Sequence, residues 1–183
     1  DPAPLDAVFE EVRKLWGKLD FVVHAIAFSD KEELDGRYVE TTRANFLRTM
    51  LRLARERDRL TVVADQFGTP TPARLIAEAT ALIVHALHGA RADDARFGTY
   101  HLTANGHTTW HGFASRIIDH AHRAGLIERA PEVAAITTAE FPTKAKRPAV
   151  SVLDTTKLQS TFGLTLPDWS EGLARVMGEL SMS

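Results

Sequence analysis

The sequence lacks cysteine and has no long hydrophobic run. The absence of Cys among 183 residues excludes disulfide frameworks and thiolate zinc sites, and it fits a cytoplasmic protein. No apolar stretch approaches the ~18 residues that a membrane helix requires, so we expect no membrane partner. The chain starts with Asp1-Pro2-Ala3-Pro4, which is acidic and contains no methionine. We expect a trimmed or excerpted sequence there, and not a signal peptide.

The sequence also has no excess of positive charge. Its 22 Lys and Arg residues nearly balance 24 Asp and Glu residues, which gives a formal net charge of -2. A nucleic-acid-binding surface requires clustered positive charge, so we expect no nucleic-acid partner. Hydrophobic residues make up 44% and charged residues 25% of the chain, a balance typical of a folded, soluble domain. Nothing in this composition indicates an oligomeric state.

Cofactor and acid–base motifs are missing as well. None of the 11 glycines forms a G-x-G pair, so the GxGxxG fingerprint of dinucleotide-binding enzymes is absent, and so is a P-loop. Short-chain reductases protonate their substrate with a tyrosine that has a lysine four residues later. The two tyrosines, Tyr38 and Tyr100, have Thr42 and Ala104 at that position. We therefore predict no catalytic residue.

Seven of the eight histidines lie between positions 85 and 122, but their spacing argues against a metal site. His107 and His111 are four residues apart, yet Thr108 stands where a zinc-protease helix has Glu. We predict no metal ligand in the chain. No serine lies in a G-x-S-x-G elbow, so the sequence does not indicate serine catalysis either.

The hydrophobic pattern that is present predicts alternating helices and strands. Apolar residues spaced three and four apart predict helices at 5–19, 41–59, 75–86, 110–124, 154–162 and 167–180. Short apolar runs predict strands at 21–28, 60–64, 99–103 and near Ile136. Such alternation is typical of an α/β domain built on a parallel sheet.

Two loops are candidates for binding a ligand. The loop Asp65–Thr71 follows a predicted strand and carries an amide, hydroxyls and a glycine, where α/β domains often contact ligands. The alternative is a tight strand-to-helix turn with Asp65 as its cap. In 144–151, Arg147 could bind a diphosphate through two hydrogen bonds, or it is an ordinary surface charge. The residues alone indicate half of a nucleotide-ligand domain.

Residues 5 to about 50 resemble bacterial enoyl-acyl-carrier-protein reductase, the NADH-dependent enzyme of fatty-acid synthesis. The resemblance is carried by Val8–Val12, Trp16–Asp20, His24–Asp30 and Leu34–Tyr38. It implies that Ala25, Ile26 and Ala27 lie beside the cofactor and that Phe28 lies near the substrate pocket.

Residues 45–183 are similar to the C-terminal half of dTDP-4-dehydrorhamnose reductase, the last enzyme of dTDP-L-rhamnose synthesis. The matching segments are Asn45–Ala54, Val63–Thr71, Gly98–Leu102, Gly106–Trp110, Arg147–Pro148 with Ser151, and Leu166–Trp169. This similarity implies that Gln66, Gly68, Thr71 and Arg147 lie near the dTDP-sugar. Some family members dimerise around magnesium held by acidic residues. Here Arg74 occupies one such position, although Glu179 is retained, so we do not expect bound magnesium.

Both families are short-chain dehydrogenase relatives, and Asn45–Met50 fits either one. We therefore place a join there, between an enoyl-reductase-like portion at 1–50 and a substrate-binding portion at 51–183. The expected fold is α/β, with a truncated Rossmann-like sheet of the short-chain dehydrogenase type and a small α/β substrate-binding domain. Such a spliced chain is an engineered chimera, a recombination product or an assembly error.

The expected function follows from the larger resemblance. We predict a dTDP-4-dehydrorhamnose reductase-like protein, derived from NAD(P)H-dependent oxidoreductases but catalytically incomplete. The resemblance implies that the phosphate loop, the Tyr–Lys pair and most of the NADPH pocket belong to a front half that this chain replaces, so we expect no NADPH or NADH bound by this chain. The alternatives are a non-catalytic dTDP-sugar-binding module and a non-functional chimera. An enoyl-acyl-carrier-protein reductase is least expected, because only a short cofactor-side segment is present.

Overall fold

The computed structural model describes residues 3–17, 45–141 and 147–181. The strand expected at 21–28, which contains Ala25, Ile26 and Ala27, lies outside these ranges, and so does Phe28. In chain order the elements are α1 (Ala3–Trp16), α2 (Asn45–Glu56), β1 (Arg59–Val63), β2 (Phe67–Gly68), α3 (Ala73–Ala86), β3 (Thr108–Thr109), α4 (Trp110–Arg123), β4 (Glu132–Ile136), a 3-10 helix (Thr138–Glu140), α5 (Thr156–Phe162) and α6 (Trp169–Ser181).

The strands β1 and β4 form a parallel pair. Their register runs from Arg59 opposite Glu132 to Val63 opposite Ile136. Leu60 and Val62 are buried while Arg59 and Thr61 are exposed, so one face of β1 packs against the helices. Parallel strands end at the same edge of a sheet, and the residues after β1 and after β4 therefore meet. This pair confirms the expected α/β arrangement with a parallel sheet.

The larger hydrophobic cluster, here the main core, joins α2, α4 and α6 to β1. On α2 the apolar stripe faces inward, and Phe46 stacks on Phe113 of α4 with ring centroids 5.5 Å apart. The arginines that follow this stripe on α2 and beyond are exposed, as expected for a solvated face. The buried members of the main core are Leu47, Met50, Ala54, Leu60, Val62, Ala114, Ile117, Ile118, Ala121, Ile127, Leu173 and Met177.

A smaller cluster, here the α3–α5 core, lies between α3, α5 and two loops. Its buried residues are Ala79, Leu158 and Leu166. Tyr100 and Leu102 pack against it, and the Tyr100 ring meets Phe162 edge-on at 5.1 Å. Ion pairs between α3 and α6, such as Arg74 with Glu179, link an element of the α3–α5 core to one of the main core.

The strand expected at 99–103 is wrong, because this segment forms no β-ladder. Its alternating apolar residues, Tyr100 and Leu102, instead contact the α3–α5 core from a loop. The Tyr100 hydroxyl donates to the Arg96 carbonyl at 2.6 Å, a bond that fixes the loop without a neighbouring strand. Alternation therefore reflected packing on one face rather than strand pairing.

Two further details differ from expectation. The helix expected to reach residue 59 ends at Glu56, because β1 already begins at Arg59. Leu82 follows the helical apolar spacing of the segment 75–86, yet it is 57% exposed on α3. Within the described ranges, no helix combines the length and the apolar character needed to cross a membrane.

Candidate functional site

The candidate site is built around β2. On one side β2 pairs antiparallel with β3, so that Phe67 lies opposite Thr109. On its other side it pairs with residues 147–153, here called the arm, through a parallel bridge between Phe67 and Val150. The Phe67 amide donates to the Ala149 carbonyl at 2.7 Å, and the Ser151 amide donates to the Phe67 carbonyl at 2.9 Å. These bonds join the arm, whose first residue is Arg147, to the loop Asp65–Thr71.

Gly68 lies where Ser151 of the arm approaches the loop. A Cβ atom at this position would lie 3.1 Å from the Ser151 Oγ atom. That oxygen is itself held by a 2.9 Å bond in which it donates to the Phe67 carbonyl. A larger residue at position 68 would therefore push the arm away from the loop.

The hydroxyl of Thr71 is engaged inside the loop. It donates to the Thr69 carbonyl at 3.0 Å and accepts from the Ala104 amide at 3.1 Å. Thr69 in turn donates to the Gly106 carbonyl at 3.0 Å. The two threonines thus fix the path of the loop into α3, and a role of Thr71 in contacting a ligand stays a prediction.

Asp65 does cap a helix end, but not the turn expected from the sequence. Its carboxylate accepts from the Thr138 backbone amide at 2.9 Å and from the Thr138 hydroxyl at 2.6 Å. Thr138 opens the 3-10 helix that follows β4, so Asp65 ties the ends of β1 and β4 together. The bonds from the Thr138 hydroxyl and amide lower the pKa of Asp65, which is therefore ionised at neutral pH.

Gln66 joins the same group. Its Nε2 atom donates to the Thr138 Oγ1 atom at 3.0 Å, and its side chain is half-buried. Glu140 lies nearby and accepts from the Thr137 amide and hydroxyl, which lower its pKa, while the Asp65 charge raises it. The end of the site at Gln66 therefore carries two carboxylates, those of Asp65 and Glu140.

An apolar cavity of about 260 Å³ lies beside β2 and the arm. It is lined by Phe67, His107, Val150 and Val152, and the Phe67 ring meets the His107 ring edge-on at 6.0 Å. Val150 is 62% exposed. The cavity offers an apolar contact surface next to the loop and arm.

The histidines are dispersed rather than gathered. His111 lies 2.9 Å from the Val133 carbonyl through its Nε2 atom, while His107 lies against Phe67. Across 3–17, 45–141 and 147–181, no group of three or more His, Asp or Glu side chains has an arrangement suited to a metal ion.

Away from this site, α3 and α6 share a group of charges. Arg74 Nη1 lies 3.1 Å from Glu179 Oε1, and Arg74 Nε lies 2.9 Å from Glu78 Oε1. Arg175 Nη2 approaches the same Glu78 oxygen at 3.6 Å. The two carboxylates raise the pKa of Arg74, which stays cationic between them.

The structure thus brings together some of the residues singled out from the sequence. Gln66, Gly68 and Thr71 share one loop, and Arg147 lies on the arm that pairs with it; their ligand contacts stay predictions. Thr138 was missed. The signal for it was available, since it follows β4 just as Asp65 follows β1, and the ends of parallel strands meet.

The chain is similar to known proteins in two overlapping stretches. Residues 37–182 match the RmlD substrate binding domain family, and residues 1–54 match the family described as Enoyl-(Acyl carrier protein) reductase. Both resemblances found in the sequence are confirmed. The overlap at 37–54 contains the join expected at 45–50, but the boundary itself stays a prediction. The expected division between 50 and 51 falls inside α2.

Two curated relatives follow the same division. The dTDP-4-dehydrorhamnose reductase of Shigella flexneri is 46% identical over 136 residues, which make up 74% of this chain and 44% of the relative. The enoyl-acyl-carrier-protein reductase (NADH) 1 of Rhizobium meliloti is 66% identical over 50 residues, 27% of this chain and 18% of the relative. This chain therefore spans less than half the length of either relative.

A solved structure supports the fold. The dTDP-4-dehydrorhamnose reductase of Bacillus anthracis, crystallised in complex with NADP, is 32% identical and superposes with a TM-score of 0.63. The alignment covers 74% of this chain and 43% of that protein. The likeness confirms the expected α/β, Rossmann-like architecture.

Proposed function

Since the chain belongs to the RmlD substrate binding domain family, we propose that it is the sugar-nucleotide-binding portion of a dTDP-4-dehydrorhamnose reductase. The parent reaction is the NAD(P)H-dependent reduction of the 4-keto sugar of dTDP-4-dehydrorhamnose, in dTDP-L-rhamnose biosynthesis. The observation that carries the proposal is the pairing of β2 with the arm, the segment that contains Arg147. Ligands of α/β domains bind at the carboxyl ends of parallel strands, where this loop lies.

The proposal assigns individual residues of the site to parts of the ligand. Arg147 is a bidentate donor suited to the diphosphate, and Gly68 leaves room for the arm to approach the loop. The apolar cavity beside Phe67 offers a surface for an uncharged ring. Gln66 and Thr71 complete the set of proposed substrate contacts.

We expect this portion to have no reductase turnover by itself. NADP is bound by the relative from Bacillus anthracis, and a nicotinamide cofactor would supply the hydride for the parent reaction. This chain has no G-x-G pair and no tyrosine with a lysine four residues later, so it does not fit that cofactor by the usual means. The proposed cofactor contacts Ala25, Ile26 and Ala27 lie outside the described residues, and we derive no reaction step from them.

Magnesium does not fit either. The carboxylates of Glu78 and Glu179 both contact Arg74, whose guanidinium lies where a divalent cation would have to approach them. A cation placed there would be repelled by Arg74 and Arg175. We propose that this face holds no magnesium in this chain.

The test is calorimetric titration of the purified chain with dTDP. We expect binding, and we expect Arg147→Ala to weaken it about tenfold or more, as for a hydrogen bond to a charged group. Arg57→Ala is the matched control, since Arg57 is an exposed arginine that precedes β1, whereas the loop follows the opposite end of that strand. A titration with no heat change at millimolar dTDP would remove the proposal.

A second candidate function is a binding module that recognises dTDP-sugars without catalysis. The missing glycine pair and missing Tyr–Lys pair favour it. The two candidates differ when the chain is mixed with a separately produced front half of a dTDP-4-dehydrorhamnose reductase and with NADPH. Formation of dTDP-L-rhamnose supports the reductase portion, and nucleotide binding without any product supports the module.

A further inference from the structure

The hydrogen bonds around Thr138 have a defined direction. The Asp65 carboxylate is ionised and can only accept, so the single hydroxyl hydrogen of Thr138 goes to Asp65 at 2.6 Å. The Thr138 oxygen is then left as an acceptor, and the Gln66 amide donates to it from Nε2 at 3.0 Å. Asp65 thus determines, through Thr138, which end of the Gln66 amide is turned toward the protein.

The other end of that amide is the Gln66 carbonyl oxygen. Among the residues that the structure describes, no donor is recorded for this oxygen, and the side chain is only half-buried. A side-chain amide is planar, so a nitrogen held by Thr138 turns the oxygen away from Thr138. The Gln66 carbonyl oxygen is therefore an acceptor that is available to whatever binds in the loop.

The charges nearby restrict what that group can be. Asp65 and Glu140 place two carboxylates beside Gln66. A phosphate at Gln66 would face both carboxylates, which is unfavourable. An uncharged hydrogen-bond donor meets no such repulsion.

We propose that Asp65 and Thr138 are positioning residues that fix the Gln66 carbonyl oxygen as the acceptor for an uncharged donor of the bound nucleotide. This inference rests on the proposed function. The donor is either the imide N–H of the thymine base or a hydroxyl of the attached sugar. Both chemistries require the same acceptor, and neither requires Gln66 to donate.

The decisive variant is Asp65→Asn. An asparagine at this position can donate to the Thr138 oxygen, which frees the Thr138 hydroxyl to donate to Gln66 and reverses the amide. The variant keeps the size of the side chain and presents the wrong end of Gln66 to the ligand. We expect the dissociation constant for the ligand to rise about threefold to tenfold, the range for one hydrogen bond.

Asp154→Asn is the matched control. The Asp154 carboxylate accepts from the Thr156 amide at 2.9 Å and from the Thr156 hydroxyl at 2.6 Å, the same pattern as Asp65 with Thr138. This pair lies at the start of α5 and involves no glutamine. We expect Asp154→Asn to leave nucleotide affinity unchanged, while Thr138→Val weakens it and Thr138→Ser retains it.

Two ligand comparisons identify the donor and separate positioning from a general structural effect. Calorimetry compares dTDP with N3-methyl-dTDP, and dTDP-L-rhamnose with dTDP. In the unaltered chain we expect one of these affinity ratios to be about threefold to tenfold. We expect Asp65→Asn to bring that ratio close to one. If the ratio between dTDP and N3-methyl-dTDP is the one that changes, the donor is the imide N–H. If the ratio between dTDP-L-rhamnose and dTDP changes, the donor is a sugar hydroxyl.

Failure of this inference differs from failure of the proposed function. If the unaltered chain binds no dTDP, the proposed function is wrong, and the inference falls with it. If the chain binds dTDP but both ratios are the same in Asp65→Asn, the inference alone is wrong. Equal weakening by Asp65→Asn and Asp154→Asn, with unchanged ratios, would likewise contradict it.

Discussion

The main core and the α3–α5 core are built from different kinds of contact. Among the described residues, the main core has twelve buried members, contributed mostly by the apolar stripes of three helices and by one strand. In the same part of the chain the α3–α5 core has three buried members and is completed by half-buried side chains from helices and loops. Burial of apolar area is the larger source of stability, so the main core carries more of the unfolding free energy. The second region relies more on hydroxyl, carbonyl and charged contacts.

The residues that contribute most to stability are therefore largely different from those that form the candidate site. The loop Asp65–Thr71 and the arm are held by directed hydrogen bonds to β2, Gly106 and Thr138, while apolar side chains such as Phe67 and Val150 stay exposed. The surface residues of this loop and of the arm can therefore change without loss of the main core. Five predictions test this difference between the two regions.

The largest effect is expected in the main core. Ile117 is 0% exposed on α4, so Ile117→Ala leaves a cavity among packed helices. We expect a loss of about 3 kcal/mol in the free energy of unfolding, measured by urea denaturation. The control, Leu82→Ala at a 57% exposed position on α3, should change it by less than about 0.5 kcal/mol. Equal losses in the two variants would show that the main core is not closely packed.

A smaller loss is expected in the α3–α5 core. Leu158 is also 0% exposed, but its partners include half-buried side chains that can move into a cavity. We expect Leu158→Ala to lower the free energy of unfolding by about 2 kcal/mol, at the low end of the range for such changes. Leu153→Ala, on the exposed arm, is the control. A larger loss for Leu158→Ala than for Ile117→Ala would reverse the order of the two cores.

Gly106 tests the contact between the site and the start of α6. Its φ is +72°, and a Cβ atom there would overlap the Asp168 carboxylate. We expect Gly106→Ala to lower the free energy of unfolding by about 2 kcal/mol, from backbone strain and crowding together. Gly125 has φ +69° with nothing within 4 Å of a Cβ atom, so Gly125→Ala measures the strain alone. Equal effects of the two changes would mean that Asp168 moves aside freely.

The charged contacts of the second region predict a pH dependence at low pH. Hydrogen bonds from Arg96 lower the pKa of Asp94 from 3.8 to about 2. A carboxyl with a lowered pKa in the folded state contributes stability above its ordinary pKa and loses it as the pH falls toward the folded value. We expect Asp94→Asn to melt at a lower temperature than the unaltered chain at pH 5, with the gap closing as the pH falls from about 4 to 2. A difference in melting temperature that stays constant over this pH range would contradict the contact between Asp94 and Arg96.

The smallest expected effect is that of magnesium. Because Arg74 contacts both Glu78 and Glu179, millimolar Mg²⁺ should leave the melting temperature of the unaltered chain unchanged relative to EDTA. Arg74→Glu removes the guanidinium and adds a third carboxylate, so we expect Mg²⁺ to raise the melting temperature of that variant. Stabilisation of the unaltered chain by Mg²⁺ would show that the cation displaces Arg74 from Glu78 and Glu179.

The spacing of apolar residues predicted the helices well and the segments between them less well. The stripes of α2, α4 and α6 repeat at helical spacing, and each helix occurs within a few residues of its expected position. The segment 99–103 misled the same analysis, because one-sided packing of Tyr100 and Leu102 produces the same alternation as a strand. Local pattern alone cannot distinguish contact with a core from pairing with a strand.

The candidate site was only partly predictable for a similar reason. Gln66, Gly68 and Arg147 were found through motifs, yet the direction of the Gln66 amide depends on Thr138, which lies 72 residues away. The cap role of Asp65 was anticipated, but its partner was not, since a carboxylate can cap any nearby helix end. Partners distant in the sequence become neighbours only when β1 and β4 pair.

The sequence by itself determined the α/β class, the positions of the main helices and the two family resemblances, because side-chain periodicity and motif residues are local properties of the chain. Only the tertiary structure decided that the arm pairs with β2, that Asp65 binds Thr138 and that Arg74 lies between two carboxylates. These contacts join segments far apart along the chain. Their geometry depends on how the elements pack, which no local pattern records.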